Sequence, residues 1–110
     1  MKSMIQARVQ RNNSLLKNEI AEYLRKLVVG MLEIPGDYIT LETPFIEVGV
    51  SSIEVAAIVN KLTENLGQEI HPSIFFEYVN IDELASHFLN EYNQEFKTMF
   101  DSYKEEDAML

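Results

Sequence analysis

A chain of 110 residues with 46% hydrophobic content can fill one small core and carry short tails, and the absence of cysteine excludes a disulfide framework, a thiolate zinc site and a thiol nucleophile. The formal charge of −9 is unevenly spread: residues 1–26 hold six Lys or Arg against Glu19 and Glu22, a net of +4, whereas residues 27–110 hold three Lys against sixteen acids, a net of −13. Such an acidic working part repels nucleic acid and anionic membrane and steers basic protein surfaces toward it, so basic proteins are the expected partners, with no nucleic acid and no membrane.

Residues 1–12 read as a basic arm or linker, without the apolar stretch of a secretory signal. No run approaches the roughly 18 apolar residues of a membrane span, and together these features lead to a cytoplasmic expectation. From Leu16 onward Ile20, Tyr23, Leu24, Leu27, Val28 and Met31 recur at three- and four-residue steps, predicting a helix over about 14–32. Asn13 or Ser14 can cap its start, and Pro35 with Gly36 forces its end. "PGDYITLETPFIEVGV" has no sustained period and reads as an ordered loop anchored by Phe45 and Val48.

Val55, Ile58, Val59, Leu62 and Leu66 form one apolar stripe closed by Gly67, predicting a second helix over about 52–66. "HPSIFFEYVN" allows one or two turns, started by Pro72, with Phe75, Phe76 and Tyr78 as aromatic bulk. A fourth helix opens at "NIDE", where Asn80 caps and Glu83 can reach back, and its core stripe is Ile81, Leu84, Ala85, Phe88 and Tyr92. Phe96, Met99, Phe100 and Tyr103 continue the helical spacing into an acidic tail. The fold class is therefore all-α: a small four-helix bundle of three main helices and a short third one, with a helical C-terminal extension.

The chemistry concentrates in "EVGVSSIEV", residues 47–55, where two serines follow a glycine. A nucleophile elbow of the form G-x-S-x-G is approached by Gly49, Val50 and Ser51 and then fails at Ile53. It also needs a strand before the serine and a histidine brought near by a large sheet, whereas His71 and His87 sit in a short helical chain. A second reading is structural. Ser51 at the N-cap and Glu54 three residues on make the S-x-x-E capping box, which accounts for Ser51 and leaves Ser52 unexplained.

A third reading comes from resemblance. "TPFIEVGVSSIEV" and "IHPSIFFEYVNIDELASHF" resemble the attachment motif and the third and fourth helix region of acyl carrier domains, especially those of modular polyketide synthases. The family pattern is glycine, a variable residue, aspartate, the serine that carries 4'-phosphopantetheine, then leucine or isoleucine; Gly49, Val50, Ser52 and Ile53 match it, and Ser51 stands at the aspartate position. The similarity spans residues 13–93. It implies that Ser52 receives the arm from coenzyme A through a separate phosphopantetheinyl transferase, so the domain needs no internal base and is non-catalytic. Acyl intermediates would then be tethered as thioesters and presented to ketosynthase, acyltransferase and other synthase domains. Serine can replace aspartate as a cap but not as a charge, which points to slower loading or to a dedicated transferase.

On this view Val50, Ile53, Ala56 and Ala57 become apolar contacts for partner enzymes near Ser52, ringed by Glu47, Glu54 and Glu77. Residues 94–110, "QEFKTMFDSYKEEDAML", read as an acidic amphipathic segment whose Phe, Met and Tyr stripe can dock in a basic groove of a downstream partner, or else pack on its own domain. Alternatives of the same fold are a peptidyl or aminoacyl carrier of nonribosomal peptide synthesis and a carrier-like adaptor that is never modified. A serine hydrolase is the alternative of a different class.

Overall fold

The computed structural model describes residues 13–109, with side chains as far as residue 103; the basic arm proposed for residues 1–12 lies outside the described residues. Among the described residues five helices follow in order: α1 (Asn13–Leu32), α2 (Ser52–Leu66), α3 (Ile74–Glu77), α4 (Ile81–Glu91) and α5 (Asn93–Met109). No strand occurs among the described residues.

The i, i+4 steps of Leu16, Ile20, Leu24 and Val28 place one face of α1 in the core, where all four are buried. Asn13 and Ser14 are already helical, so neither has the cap position suggested for it. The helix stops where Glu33 turns into the left-handed region at φ 55° and the Ile34 amide donates to Val29 O at 3.3 Å, which is the Schellman arrangement. A non-glycine residue in that region costs roughly 1–2 kcal/mol. Pro35 follows at once and prevents continuation.

The loop after α1 is ordered by specific bonds. Arg25 Nη1 donates to Gly36 O at 3.0 Å, the Phe45 amide to Val79 O at 2.9 Å and the Asp82 amide to Leu41 O at 2.9 Å. Two short 3-10 turns, Gly36–Tyr38 and Phe45–Val48, sit within it, and Phe45 is buried with its ring 5.0 Å from that of Phe75. Phe45 and Val48 thus act as the anchors their spacing suggested, Val48 packing at the core's edge.

Helix α2 buries Val55, Ile58, Val59, Leu62 and Leu66, and Gly67 closes it at φ 69° with its amide donating to Thr63 O. Helix α3 is a single turn, which has only one inward face. Ile74 and Phe75 take that face, so Phe76, expected to add bulk, is 75% exposed instead. At α4, Asn80 Oδ1 accepts from the Glu83 amide at 2.8 Å, and Ile81, Leu84, Ala85 and Phe88 are buried against α1, this helix's main packing partner. Lys17 pairs with Asp82 at 2.9 Å at the edge of that contact.

Helix α5 starts immediately after Tyr92 and turns back on the bundle. Phe96 is fully buried, Met99 nearly so and Phe100 partly, so the stripe read as a docking face for a partner's groove is covered by the protein's own core as far as Phe100. The physical reason lies in an aromatic cluster: Tyr23 meets Phe96 and Phe100 edge-on at 5.8 and 6.1 Å, and Phe88 lies 5.6 Å from Phe96. Asn65 Nδ2 donates to the Tyr23 hydroxyl at 2.7 Å, tying α2 to α1 at the same end. Burial raises the Tyr23 phenol above its usual pKa, with the Asn65 bond opposing the shift. The core therefore continues beyond residue 93.

Candidate functional site

The two serines open α2. Gly49 has φ 85°, a left-handed conformation that L side chains rarely adopt, and its amide bonds back to Phe45 O and Ile46 O. That reversal brings Val50 to the core's edge, where its amide donates to Phe45 O at 3.2 Å, and delivers the next two residues to the helix start. Ser51 is the N-cap, with extended backbone at φ −99°, ψ 176°, and its carbonyl accepts the Val55 amide at 2.9 Å. Ser52 is the first helical residue and is exposed.

Ser51 and Glu54 form the capping box. The Ser51 amide donates to Glu54 Oε1 at 3.0 Å, and the Ser51 hydroxyl donates to the same oxygen at 2.6 Å. The Ser51 side chain takes the Glu54 backbone as the sequence suggested, and its hydroxyl in addition hands its proton to the Glu54 carboxylate. That bond, followed by the one from the Ser51 amide, holds the Glu54 carboxyl below its ordinary pKa of 4.5.

Ile53 is 78% exposed, Ala56 is exposed and Ala57 half-buried, all off the core stripe as their spacing required. An apolar groove of about 250 Å³ is lined by Pro44, Phe45, Ile46, Val50, Val55, Phe75, Phe76 and Val79. Val50 and Val55 bracket Ser52 in the chain, so the groove adjoins the start of α2. Glu47 and Glu77, both exposed, follow the groove residues Ile46 and Phe76 in the chain. Ile46, 85% exposed, together with Phe76 and Val79, was missed from the sequence. A signal existed in the adjacent apolar pairs "FI" and "FF", because a single turn cannot bury both members of such a pair.

The residues needed for a hydrolase are not assembled. Before the serines stand a 3-10 turn and Gly49, not a strand. His87 stacks on Tyr78 with ring centroids 4.4 Å apart, and His71 is exposed. Among the described residues no base hydrogen-bonds Ser52.

The family described as "Phosphopantetheine attachment site" matches residues 22–88. Among curated relatives, the polyketide synthase PksM of Bacillus subtilis is 34% identical over 80 residues, 73% of this chain and 2% of the relative. PksL of the same organism is 32% identical over 75 residues, 68% of this chain and 2% of the relative. The chain thus spans about 2% of the length of these relatives. A crystal structure of a free-standing peptidyl carrier protein from an Acinetobacter baumannii secondary metabolic pathway superposes with a TM-score of 0.65 at 23% identity, covering 68% of this chain and 94% of that one. The likeness at that identity concerns the fold. The chain belongs to the phosphopantetheine attachment family: it is a carrier domain, homologous to those of polyketide synthases, of a kind that bears 4'-phosphopantetheine and is not itself catalytic.

The site suits that group. The Ser52 hydroxyl is open to solvent, and the first amides of a 15-residue helix favour the negative charge of a phosphodiester beside it. The groove that Val50 and Val55 line offers apolar surface near the start of α2.

Proposed function

We propose that Ser52 is the attachment residue and that this domain carries acyl intermediates in a polyketide assembly line. The observation that carries the assignment is position: Ser52 is the exposed first residue of α2, inside the matched interval and in register with the family motif, whereas Ser51 is committed to its cap. In loading, the Ser52 oxygen attacks the pantetheine-side phosphorus of coenzyme A. A serine–phosphate bond forms, the bond to adenosine 3',5'-bisphosphate breaks, and the hydroxyl proton leaves to a base of the phosphopantetheinyl transferase. When bound, the arm supplies a terminal thiol that holds acyl groups as thioesters. The chain's own part is to present the hydroxyl, to steady the phosphodiester with helix amides and to offer docking contacts.

Those contacts are Val50, Ile53, Ala56 and Ala57 with the rim of Glu47, Glu54 and Glu77, and we add Ile46 and Phe76, whose exposure supports a role in binding. Exposed apolar side chains with acids around them suit brief docking onto basic faces of a ketosynthase, an acyltransferase and other synthase domains. The carrier unit includes the first half of α5, because Phe96 and Met99 belong to its core. A cytoplasmic setting, where coenzyme A is available, agrees with the cysteine-free composition.

Two experiments test this. Peptide mapping after incubation with coenzyme A and a transferase is expected to find the added pantetheine on the peptide containing Ser52. Charging of the loaded protein by an acyltransferase, but not by an amino-acid-activating domain, is then expected; the reverse preference would favour a peptidyl carrier.

A further inference from the structure

Residues 1–12 hold Lys2, Arg8 and Arg11 and no acid, a charge of +3, so the total of −9 leaves −12 on residues 13–110. Opposite charges joined by a short tether meet at an effective concentration on the order of millimolar. Where they meet decides which acids stay available to other proteins. Against Glu47, Glu54 and Glu77, the segment would cancel the charge near Ser52.

A groove of about 470 Å³ offers a different place, between the C-terminal end of α2 and α5. Its lining joins aliphatic Leu66 and Met99 to one acid from each helix, Glu64 and Glu95. Neither acid is firmly engaged: Lys61 stands 4.0 Å from Glu64, the outer limit of an ion pair, and Glu95 forms no ion pair among the described residues. Met4, Ile5 and Val9 alternate with the three cations of residues 1–12, so the segment brings aliphatic side chains and positive charge together. A second acidic groove, on α4, is lined by Asp82, Glu83 and Glu91 without any aliphatic side chain, and Asp82 already pairs with Lys17 at 2.9 Å.

The segment is long enough. Tyr23 receives the bond from Asn65, a residue of the groove, and lies about 15 Å along α1 from Asn13, with about 10 Å more to a neighbouring helix. Twelve residues span up to about 40 Å.

We propose that residues 1–12 dock in the groove between α2 and α5, with Ile5 and its aliphatic neighbours against Leu66 and Met99 and with Lys2 and Arg8 facing Glu64 and Glu95. Exposed ion pairs are individually weak and screened by salt, so the contact is readily reversible. Glu64 lies about 18 Å beyond Ser52 along α2, and the docked segment leaves the acids near Ser52 uncovered. A basic partner then meets the whole negative rim; that consequence rests on the docking contacts proposed above, whereas the intramolecular contact does not.

The full chain lacks cysteine, so Gln6→Cys supplies a single attachment point for a nitroxide. Amide spectra of the nitrogen-15-labelled protein are compared with the label oxidised and reduced, with no partner present. At about 50 mM salt the amides of residues 64–66 and 94–103 are expected to lose intensity about twofold or more, and those of residues 47–56 and 82–91 much less; about 0.5 M salt is expected to remove the loss. Glu64→Lys with Glu95→Lys is expected to abolish it, and adding Lys2→Glu with Arg8→Glu to bring it back. If the reversed pair unfolds, Glu64→Gln with Glu95→Gln takes its place and is expected to weaken the loss about twofold. Losses spread evenly over the protein, or centred on residues 47–56 or 82–91, would overturn the proposal. So would losses at residues 64–66 that persist unchanged in the folded charge variants.

Discussion

The two ends of α2 face opposite demands. At its C-terminal end, Leu66 is buried, Asn65 bonds Tyr23, and Tyr23, Phe88, Phe96 and Phe100 turn their rings on one another. At its N-terminal end, Ile46 and Phe76 stand in solvent along an open groove, Ile53 is exposed, and Ser51 and Glu54 bond each other. Residues of similar hydrophobicity are thus used in two ways. Where they close on themselves they hold the fold, and where they stay exposed they are available to other proteins.

The contrast is broken most severely at the aromatic end. Phe96→Ala removes a fully buried ring from the Tyr23, Phe88 and Phe100 cluster and is expected to destabilise the domain by about 3–5 kcal/mol in urea unfolding. Tyr23→Phe keeps the ring but loses the bond from Asn65, with an expected cost of about 1 kcal/mol in the same measurement. At the other end, Phe76→Ser removes a ring of equal size from the surface and is expected to change stability by no more than about 0.5 kcal/mol. Its effect should fall on binding, seen as a raised KM when the loaded domain is offered to an acyltransferase. A large loss of stability in Phe76→Ser would erase the distinction between the ends.

The smallest effect concerns pH. The folded-state pKa of Glu54 is lowered by the Ser51 hydroxyl and amide, so its contribution to stability is present above 4.5 and fades as pH falls through the lower folded value. Glutamine does not titrate. The small difference in melting temperature between wild type and Glu54→Gln is therefore expected to shrink as pH drops below 4.5 and to be constant above it.

Much of this molecule was legible in its sequence, for identifiable reasons. The second helix was readable because Val55, Ile58, Val59, Leu62 and Leu66 keep one period and Gly67 ends it. Asn80 was readable as a cap because its side chain acts only on the next turn. Phe96 and Met99 announced a helix, but period alone does not say whose surface a stripe will cover; that depended on Tyr23 and Phe88 presenting aromatic faces from distant positions. Phe76 misled because hydrophobicity gives no direction within a single turn. Ser51 was identified as a cap, yet which partner would take its proton depended on where the Glu54 carboxylate came to rest.

The central claim is that Ser52, and not its neighbour, receives the arm. Its most direct test is intact mass after incubation of wild type, Ser52→Ala and Ser51→Ala with coenzyme A and a transferase. A gain of one phosphopantetheine on wild type and Ser51→Ala, with none on Ser52→Ala, is the expected result. An unchanged wild type, or a gain that survives in Ser52→Ala, would contradict it.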